Sequence, residues 1–310
     1  MVSLPVQACI LDRAPSAEVF WLVRPETAPI LESLPGVSGV LCRPQDSDLE
    51  RVLRDIKPDA LLNLGHRDKR MVPAARRAGV PIRVARPRGL AQILCATHVL
   101  WTKRTGTGRH EAQNSLDFLK PFEWQIPARA PSPRLLLTPE EMVRGEADLR
   151  EVPRPRLGVI TRGSGGTAGA FPGKLWWEKM LGAAESAGWN PVALSPPDAG
   201  TLPPTDIRGL MGRLHACDAV LGVSTGPTHL AAALGVPTLC LMGKRVKHGP
   251  DRWMPLGDRV EAMQYPGRED DLGSGMDRLD IGSVLARLEK MGTTRLTFGV
   301  YGSERTLKED

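Results

Sequence analysis

The fold is decided by the stretch Leu221-Gly-Val-Ser-Thr-Gly-Pro-Thr-His229 in the second half of the chain. A short apolar strand leads into Ser224 and Thr225, hydroxyl residues that can cap a helix, and glycine and proline suit the first helical turn. The start of such a helix presents unpaired N–H groups and the positive end of the helix dipole, where a diphosphate can bind. Because the loop follows a strand, we expect it at the sheet edge where open α/β folds bind ligands. A well-capped structural helix is the alternative interpretation.

Short apolar runs alternate with helical patterns on both sides of this stretch, which indicates a parallel α/β architecture. The predicted strands are Val19–Val23, Val37–Leu41, Ala60–Leu64, Ile82–Val84, Leu157–Ile160, Asn190–Leu194, Ala219–Gly222 and Pro237–Met242. The predicted helices are Glu26–Leu34, Asp48–Ile56, Lys69–Ala78, His110–Leu119, Lys174–Ala187, Asp206–Ala216, Thr225–Leu234 and Ile281–Lys290. Residues 120–155 contain seven prolines and separate the two halves. We therefore predict two doubly wound domains that face a central cleft: residues 1–125 and 156–290, with a linker at 126–155 and a tail at 291–310.

Composition and charge narrow the class of protein. The five cysteines are widely spaced and form no CxxC pair, which argues against structural zinc and suits a reducing compartment. No apolar run approaches the roughly 20 residues of a membrane helix, and no basic leader precedes the first apolar stretch, so we expect a cytoplasmic protein. Between Arg67 and Arg109 there are eleven Lys or Arg residues and one acid, Asp68. Such a stretch attracts nucleic acid, an acidic lipid surface or a phosphorylated glycan, or is simply a solvated basic face.

Nucleic acid is the weakest of these partners, since aromatic residues make up only 5% of the chain and no nucleic-acid motif is present.

A second loop, Thr161-Arg-Gly-Ser-Gly-Gly-Thr-Ala168, also follows a predicted strand. Its glycines and hydroxyl residues allow the backbone to wrap an anion. It lacks the Gly-Lys-Ser/Thr of a Walker loop and the GxGxxG spacing of a dinucleotide fold, so a plain connecting loop is the alternative.

Together the two loops resemble glycosyltransferase family 9, the ADP-heptose:lipopolysaccharide heptosyltransferases, which have the two-domain GT-B fold. The resemblance is carried by Gly163–Thr167 with Phe171-Pro172, by Ser224–Pro237 and by Leu239–Gly243. Weaker similarities are Trp21–Glu26, Leu34–Val37, and His110-Glu111 with Asn114. The similarity extends over about Ser3–Lys290.

The resemblance implies an inverting transfer of heptose from ADP-heptose to a lipopolysaccharide inner-core acceptor, without a metal or other cofactor, by a cytoplasmic protein with peripheral contact with the inner membrane. The donor-binding residues that it implies are Arg162, Ser164, Gly165, Thr167, Lys174, Ser224, Thr225, Gly226, Pro227, His229, Met242 and Gly243. The acceptor is expected on the first domain, where basic residues that include Arg67, Lys69 and Arg70 can bind acidic sugars and phosphates.

Two features depart from the family pattern. The family begins with a strand and a Gly-Asp pair whose Asp acts as general base, whereas Met1–Ala8 resembles the family's segment directly after that pair. Asp12 is a poor substitute, and we expect the base to lie upstream of Met1; a truncated, non-catalytic relative is the alternative. Loss of an inner strand would leave neighbouring strand edges unpaired. Gly169-Ala170 also stand where the family has a basic residue, so Arg162 or Lys174 has to supply that charge.

These observations favour a glycosyltransferase. Another nucleotide-sugar enzyme of the GT-B class, such as an epimerase or a transferase with a different donor, is the enzymatic alternative. A nucleotide-sugar-binding relative without catalytic activity is the non-enzymatic one.

Overall fold

The computed structural model describes residues 1–32, 34–42, 48–65, 69–102, 108–162, 172–194, 205–243, 249–264 and 276–293. Every strand pairing within these ranges is parallel. None of the helices in these ranges is long and apolar enough to cross a membrane. The strands thus belong to the parallel α/β class that the alternating sequence pattern predicts.

The first half carries five strands and five α-helices within the described ranges. In chain order they are α1 (Leu4–Arg13), β1 (Phe20–Val23), β2 (Gly39–Cys42), α2 (Leu49–Ile56), β3 (Ala60–Leu62), α3 (Met71–Arg77), β4 (Ile82–Ala85), α4 (Leu90–Cys95), β5 (His98–Val99) and α5 (Glu111–Leu116). The predicted helix Glu26–Leu34 is wrong in type and extent. A 3-10 helix covers Pro25–Ile30 instead, because Pro29 has no N–H to continue an α-helix.

Among the described residues, the strands of the first half form two separate sheets, β1-β2 and β3-β4-β5, with an open seam between them. Among the described residues, β1 pairs only with β2, and β3 pairs only with β4. Both sides of the seam share one layer of helices, because Leu22 of β1 and Leu61 of β3 pack against the same core of α2 and α3. On α1, Val6 packs with Leu62, while Gln7 accepts a hydrogen bond from Trp21 Nε1 at 2.5 Å. Helices therefore hold the two sheets together where no strand pairing does.

The second half forms a single five-stranded sheet. Its elements are α6 (Pro139–Asp148), β6 (Arg156–Ile160), α7 (Lys174–Ser186), β7 (Asn190–Ala193), α8 (Ile207–His215), β8 (Ala219–Val223), α9 (Gly226–Ala233), β9 (Thr238–Met242), α10 (Pro250–Trp253), β10 (Val260–Gln264) and α11 (Ile281–Thr293). The strand order is β10-β9-β8-β6-β7, so the direction of winding reverses between β6 and β8. Helices cover both faces: α7 and α11 pack on one side and α8 and α9 on the other.

The proline-rich segment predicted as a linker contains a helix. α6 begins with a capping box in which Thr138 and Glu141 satisfy each other's backbone N–H groups. It packs closely on α8, since a Cβ at Gly145 would come within 2.2 Å of the Gly212 carbonyl oxygen. Ion pairs from Arg208 to Glu141 and from Arg213 Nε to Asp148, the latter at 2.7 Å, reinforce this contact. Residues 139–148 are thus an ordered part of the second half, and the predicted domain boundaries remain a prediction.

Candidate functional site

Both candidate anion-binding loops follow central strands of the five-stranded sheet of the second half, at its topological switch point. β6 and β8 are direct neighbours, with Ile160 paired to Gly222 near their carboxyl ends. The loop after β6 begins with Thr161 and Arg162, and the loop after β8 leads into α9. In doubly wound sheets, the reversal of strand order opens a crevice at the carboxyl ends of the two central strands. The two sequence motifs therefore begin at the place where this class of fold binds ligands.

The start of α9 differs from the predicted capped helix. Thr225 precedes the helix in an extended conformation, but its side chain forms no capping hydrogen bond among the described residues. Its hydroxyl lies 3.5 Å from the Thr228 hydroxyl, which itself donates to the Val223 carbonyl at 2.6 Å. Ser224 donates to the Trp253 carbonyl at 3.2 Å instead of to the helix. The capping prediction is wrong, because both hydroxyls face other partners and leave the first-turn N–H groups without a side-chain cap.

Two glycines frame this helix start for different reasons. A Cβ at Gly222 would lie 2.8 Å from the Thr228 hydroxyl, so glycine is needed there for β8 to pack against α9. A Cβ at exposed Gly226 would meet no other described atom within 4 Å. Pro227 follows in the first turn and lacks an N–H of its own. Among the described residues, the space in front of Gly226 is therefore open, so that a ligand can approach the backbone there.

His229 lies one turn further along α9, in a shallow crevice with Met1, Val2, Pro133 and Leu256. Burial, assisted by the neighbouring Met1 amino group and His110, lowers the pKa of His229 to about 3. The imidazole is therefore neutral at physiological pH. It can donate one hydrogen bond to a phosphate oxygen, but it brings no positive charge to the site.

Residues at the edge of the predicted donor site vary in exposure. Met242 ends β9 with only 1% of its surface exposed, so its side chain packs in the core, and its position near the nucleotide base stays a prediction. Gly243, directly after it, is half-buried. Lys174 begins α7 with an exposed side chain that pairs with Glu178 at 3.6 Å. The predicted donor residues outside the described ranges are Ser164, Gly165 and Thr167.

The short segment 252–254 bridges the two halves of the protein beside this site, and sequence reasoning missed it. Arg252 Nε donates to Glu111 Oε1 at 2.6 Å, and the Glu111 side chain is fully buried. His110 Nε2 donates to the Met254 carbonyl at 2.8 Å, while its Nδ1 accepts the Ala112 N–H. Burial lowers the pKa of His110, which favours this neutral form. Because Ser224 also binds the Trp253 carbonyl, the segment links α9 directly to the first half.

Comparison with known proteins agrees with this geometry. Residues 103–270, more than half of the chain, match the sequence profile of glycosyltransferase family 9 (heptosyltransferase). The chain belongs to glycosyltransferase family 9. It is 23% identical to a presumed glycosyltransferase of Haemophilus influenzae, with 93% of this chain and 92% of the relative covered.

Solved structures of family 9 proteins share the fold. The chain is similar to Escherichia coli ADP-heptose LPS heptosyltransferase II, with a TM-score of 0.76, 16% identity, and 94% of each chain covered. It is also similar to the E. coli heptosyltransferase WaaC, solved with ADP, with a TM-score of 0.64, 15% identity, and 94% of this chain and 95% of that chain covered. The protein is thus a heptosyltransferase-like glycosyltransferase with the GT-B fold.

The first half of this family 9 chain does not bring Asp12 to the predicted donor site. The N-terminal end of α1 is the one that lies against His229, whereas Asp12 is in the last turn. Asp12 comes eight residues after Leu4 in this helix, a rise of about 12 Å. Asp12 is exposed and lies 3.4 Å from the guanidinium of Arg13. It is therefore badly placed to act as a base at α9.

The basic residues of the first half fall into two groups: some pair with a buried carboxylate, and others are exposed. Arg86 and Arg109, together with Lys120, surround the fully buried carboxylate of Asp117, with Arg109 and Lys120 at 3.1 and 3.0 Å. Burial opposes ionisation of Asp117, but hydrogen bonds from Lys120 and Arg109 outweigh it and lower the pKa of the carboxyl. These cations stabilise the fold. Of the predicted acceptor residues, Lys69 and Arg70 are exposed just before α3, and Arg67 lies outside the described residues.

Proposed function

We propose that the protein transfers heptose from ADP-heptose, with inversion, to an inner-core lipopolysaccharide acceptor. The proposal is carried by one observation: both anion-compatible loops begin at the switch point of the second sheet, and the helix start there is open in front of Gly226. An ADP diphosphate placed at this point accepts hydrogen bonds from first-turn N–H groups of α9 and interacts with the helix dipole. The E. coli relative WaaC, solved with ADP, supports adenosine diphosphate as the nucleotide.

Each residue near the phosphates has its own role in this proposal. Thr225 and the backbone at Gly226 hold the diphosphate, and neutral His229 donates one hydrogen bond to it. Arg162 or Lys174 supplies the positive charge that stabilises the departing diphosphate, because no metal takes part. Ser164, Gly165 and Thr167 complete the donor loop. Gly243 lies at the next strand end, towards the nucleotide base.

The acceptor is proposed to bind the first half from the opposite side of the cleft. Exposed Lys69 and Arg70, with Arg67, bind its acidic sugars and phosphates. An acceptor anchored in a lipid requires peripheral contact of the protein with the inner membrane. The acceptor hydroxyl attacks the anomeric carbon and gives its proton to a general base, the bond from that carbon to the ADP phosphate oxygen breaks on the opposite face, and inversion results.

The test is transfer of labelled heptose from ADP-heptose to an inner-core acceptor, with GDP- and UDP-linked sugars as rival donors. We expect transfer with the ADP-linked sugar and strong loss in the Thr225→Ala, Gly226→Ala double variant. Undiminished transfer by that variant would refute the donor-site assignment, and preference for a GDP or UDP sugar would refute the donor.

A second candidate is a nucleotide-sugar-binding protein without transferase activity. The position of Asp12 at the far end of α1 favours it, as does Gly169-Ala170 in place of a basic residue. Titration of ADP-heptose against the protein separates the two candidates. Binding that depends on Gly226 but is never followed by transfer supports the second, whereas turnover supports the first.

A further inference from the structure

Helix α4 exposes leucine side chains and buries a glutamine, which is the reverse of an ordinary surface helix. Leu90 and Leu94 are 71% and 63% exposed, whereas Gln92, between them in sequence, is only 2% exposed. Residues four apart lie on the same face of a helix, so the two leucines form one outward apolar ridge. A surface helix normally directs leucine to the core and glutamine to water. This reversal indicates that the outer face of α4 serves a binding purpose.

An exposed tryptophan lies at the same edge of the sheet. Trp101 follows β5 and is 69% exposed. β5 pairs in parallel with β4, and α4 is the connection between them, so Leu90 and Trp101 both lie near the carboxyl ends of adjacent strands. Other exposed apolar residues, such as Leu136, Val143 and Leu175, are on separate elements of the second half. Isolated residues of that kind are ordinary, while a cluster marks a contact surface.

Basic residues surround this apolar cluster. Arg76 Nη1 donates to the Leu94 carbonyl at 3.1 Å, and Arg88 is exposed two residues before Leu90. Residues 69–110 contain ten Lys or Arg and no Asp or Glu. Of the carboxylates outside this stretch, Asp117 is fully buried among its own cations and Glu50 pairs with arginines on α2 and α3. Arg86 and Arg109 are paired with Asp117 and Arg77 with Glu50, so the positive charge beside α4 comes from exposed Arg76 and Arg88.

We propose that the α4 patch, formed by Leu90, Leu94, Trp101, Arg76 and Arg88, docks the protein on an anionic phospholipid bilayer. Leucine side chains insert at the boundary of headgroups and acyl chains, and tryptophan is enriched at that depth. Arg76 and Arg88 beside them bind lipid phosphates through charge complementarity. The patch lies at the carboxyl edge of the sheet formed by β3, β4 and β5. Docking therefore brings that edge close to a lipid-anchored acceptor.

Two other occupants fit the surface less well. A second copy of the chain would bring Arg76 and Arg88 of the two copies close together, and repulsion between these like charges opposes symmetric self-association. A nucleic acid satisfies the charge, but aliphatic leucines provide no flat face on which bases stack. A bilayer alone satisfies the leucines, the tryptophan and the arginines together.

This inference rests on the proposed membrane contact, and vesicle binding tests it separately from sugar transfer. The full chain is sedimented with vesicles of phosphatidylcholine alone or of phosphatidylcholine mixed with phosphatidylglycerol. We expect binding to the anionic vesicles only, weakened when ionic strength is raised from about 0.1 to about 0.5 M. Leu90→Ser with Leu94→Ser is expected to weaken binding about 10-fold or more, and Arg88→Glu to weaken it as well.

Matched variants control for loss of exposed apolar area and of charge. Leu136→Ser with Val143→Ser changes two exposed apolar residues of the second half, and Arg150→Glu changes an exposed arginine there; both should bind vesicles as the unmodified protein does. Failure of the unmodified protein to bind anionic vesicles would overturn the proposal, as would equal binding by the Leu90/Leu94 variant. A dimer in sedimentation velocity that this variant converts to monomer would assign the patch to self-association instead. Transfer to a lipid-free acceptor, unchanged in the variant, tests the proposed function on its own.

Discussion

Replacement of Gly226 by alanine separates donor binding from folding. The added methyl group meets no other described atom within 4 Å, and the backbone there does not require the left-handed conformation. Alanine also favours a helix over glycine by up to about 1 kcal/mol. The free energy of unfolding should therefore stay the same or rise slightly.

Binding should respond in the opposite direction. The methyl group occupies the space through which a diphosphate reaches the first-turn N–H groups of α9. A hydrogen bond to a charged group contributes about 1.5–3 kcal/mol, so loss or distortion of the contact should cost about 2–3 kcal/mol, roughly a 30- to 150-fold weaker Kd. Loss of binding in a protein of unchanged stability is the signature of a ligand site.

The assay pairs isothermal titration with ADP and thermal unfolding of the same samples. Gly182→Ala is the matched control, since a Cβ at this position of α7 also meets no described atom within 4 Å. It should leave ADP affinity unchanged. ADP affinity in Gly226→Ala equal to that of the unmodified protein would contradict a diphosphate site at the start of α9, and so would an equal loss in both variants.

Three further predictions concern stability and the contact between the halves. Gly145→Ala places a Cβ 2.2 Å from a backbone carbonyl of α8, so thermal unfolding should show a loss of about 3 kcal/mol or more; a loss under 1 kcal/mol would contradict the close packing of α6. Glu111→Gln leaves the guanidinium of Arg252 without its buried carboxylate and should cost about 3–5 kcal/mol in denaturant unfolding, whereas unchanged stability would show that the ion pair is dispensable. His229 has a pKa of about 3, below its usual 6.5, so the unfolded chain binds a proton that the folded chain rejects, and stability should fall below pH 6.5 by at most about 1.4 kcal/mol per pH unit. His229→Gln should flatten this pH profile; a profile identical to that of the unmodified protein would contradict the assignment.

The centre of the five-stranded sheet in the second half was predictable, because β6, β8 and β9 are buried on both faces. The predicted strands Leu157–Ile160, Ala219–Gly222 and Pro237–Met242 agree closely with β6, β8 and β9, whose continuous apolar runs are typical of a covered parallel sheet. Short or edge elements gave weaker signals. β5 has only two residues, and β10 lies at the edge of the sheet with partly exposed residues.

The candidate site was predictable in position but not in detail. Spacing placed the loops after β6 and β8, but the orientation of the Ser224 hydroxyl depends on Trp253, which is distant in sequence. The same holds for Glu111 and Arg252, 141 residues apart, because a buried ion pair between halves leaves no local pattern. The exposed side chains of α4 were equally hidden, since only the fold shows which face of that helix is outside.

Hydrogen–deuterium exchange of the protein with and without ADP-heptose locates the bound donor on the chain. We predict slower exchange in the peptide that contains Gly226, Thr228 and His229, because the diphosphate binds first-turn N–H groups of α9. Helix α11, at the opposite face of the sheet, should exchange at the same rate in both samples. Saturating binding of ADP-heptose that leaves exchange at the start of α9 unchanged would contradict the placement of the donor at the switch point of the second sheet.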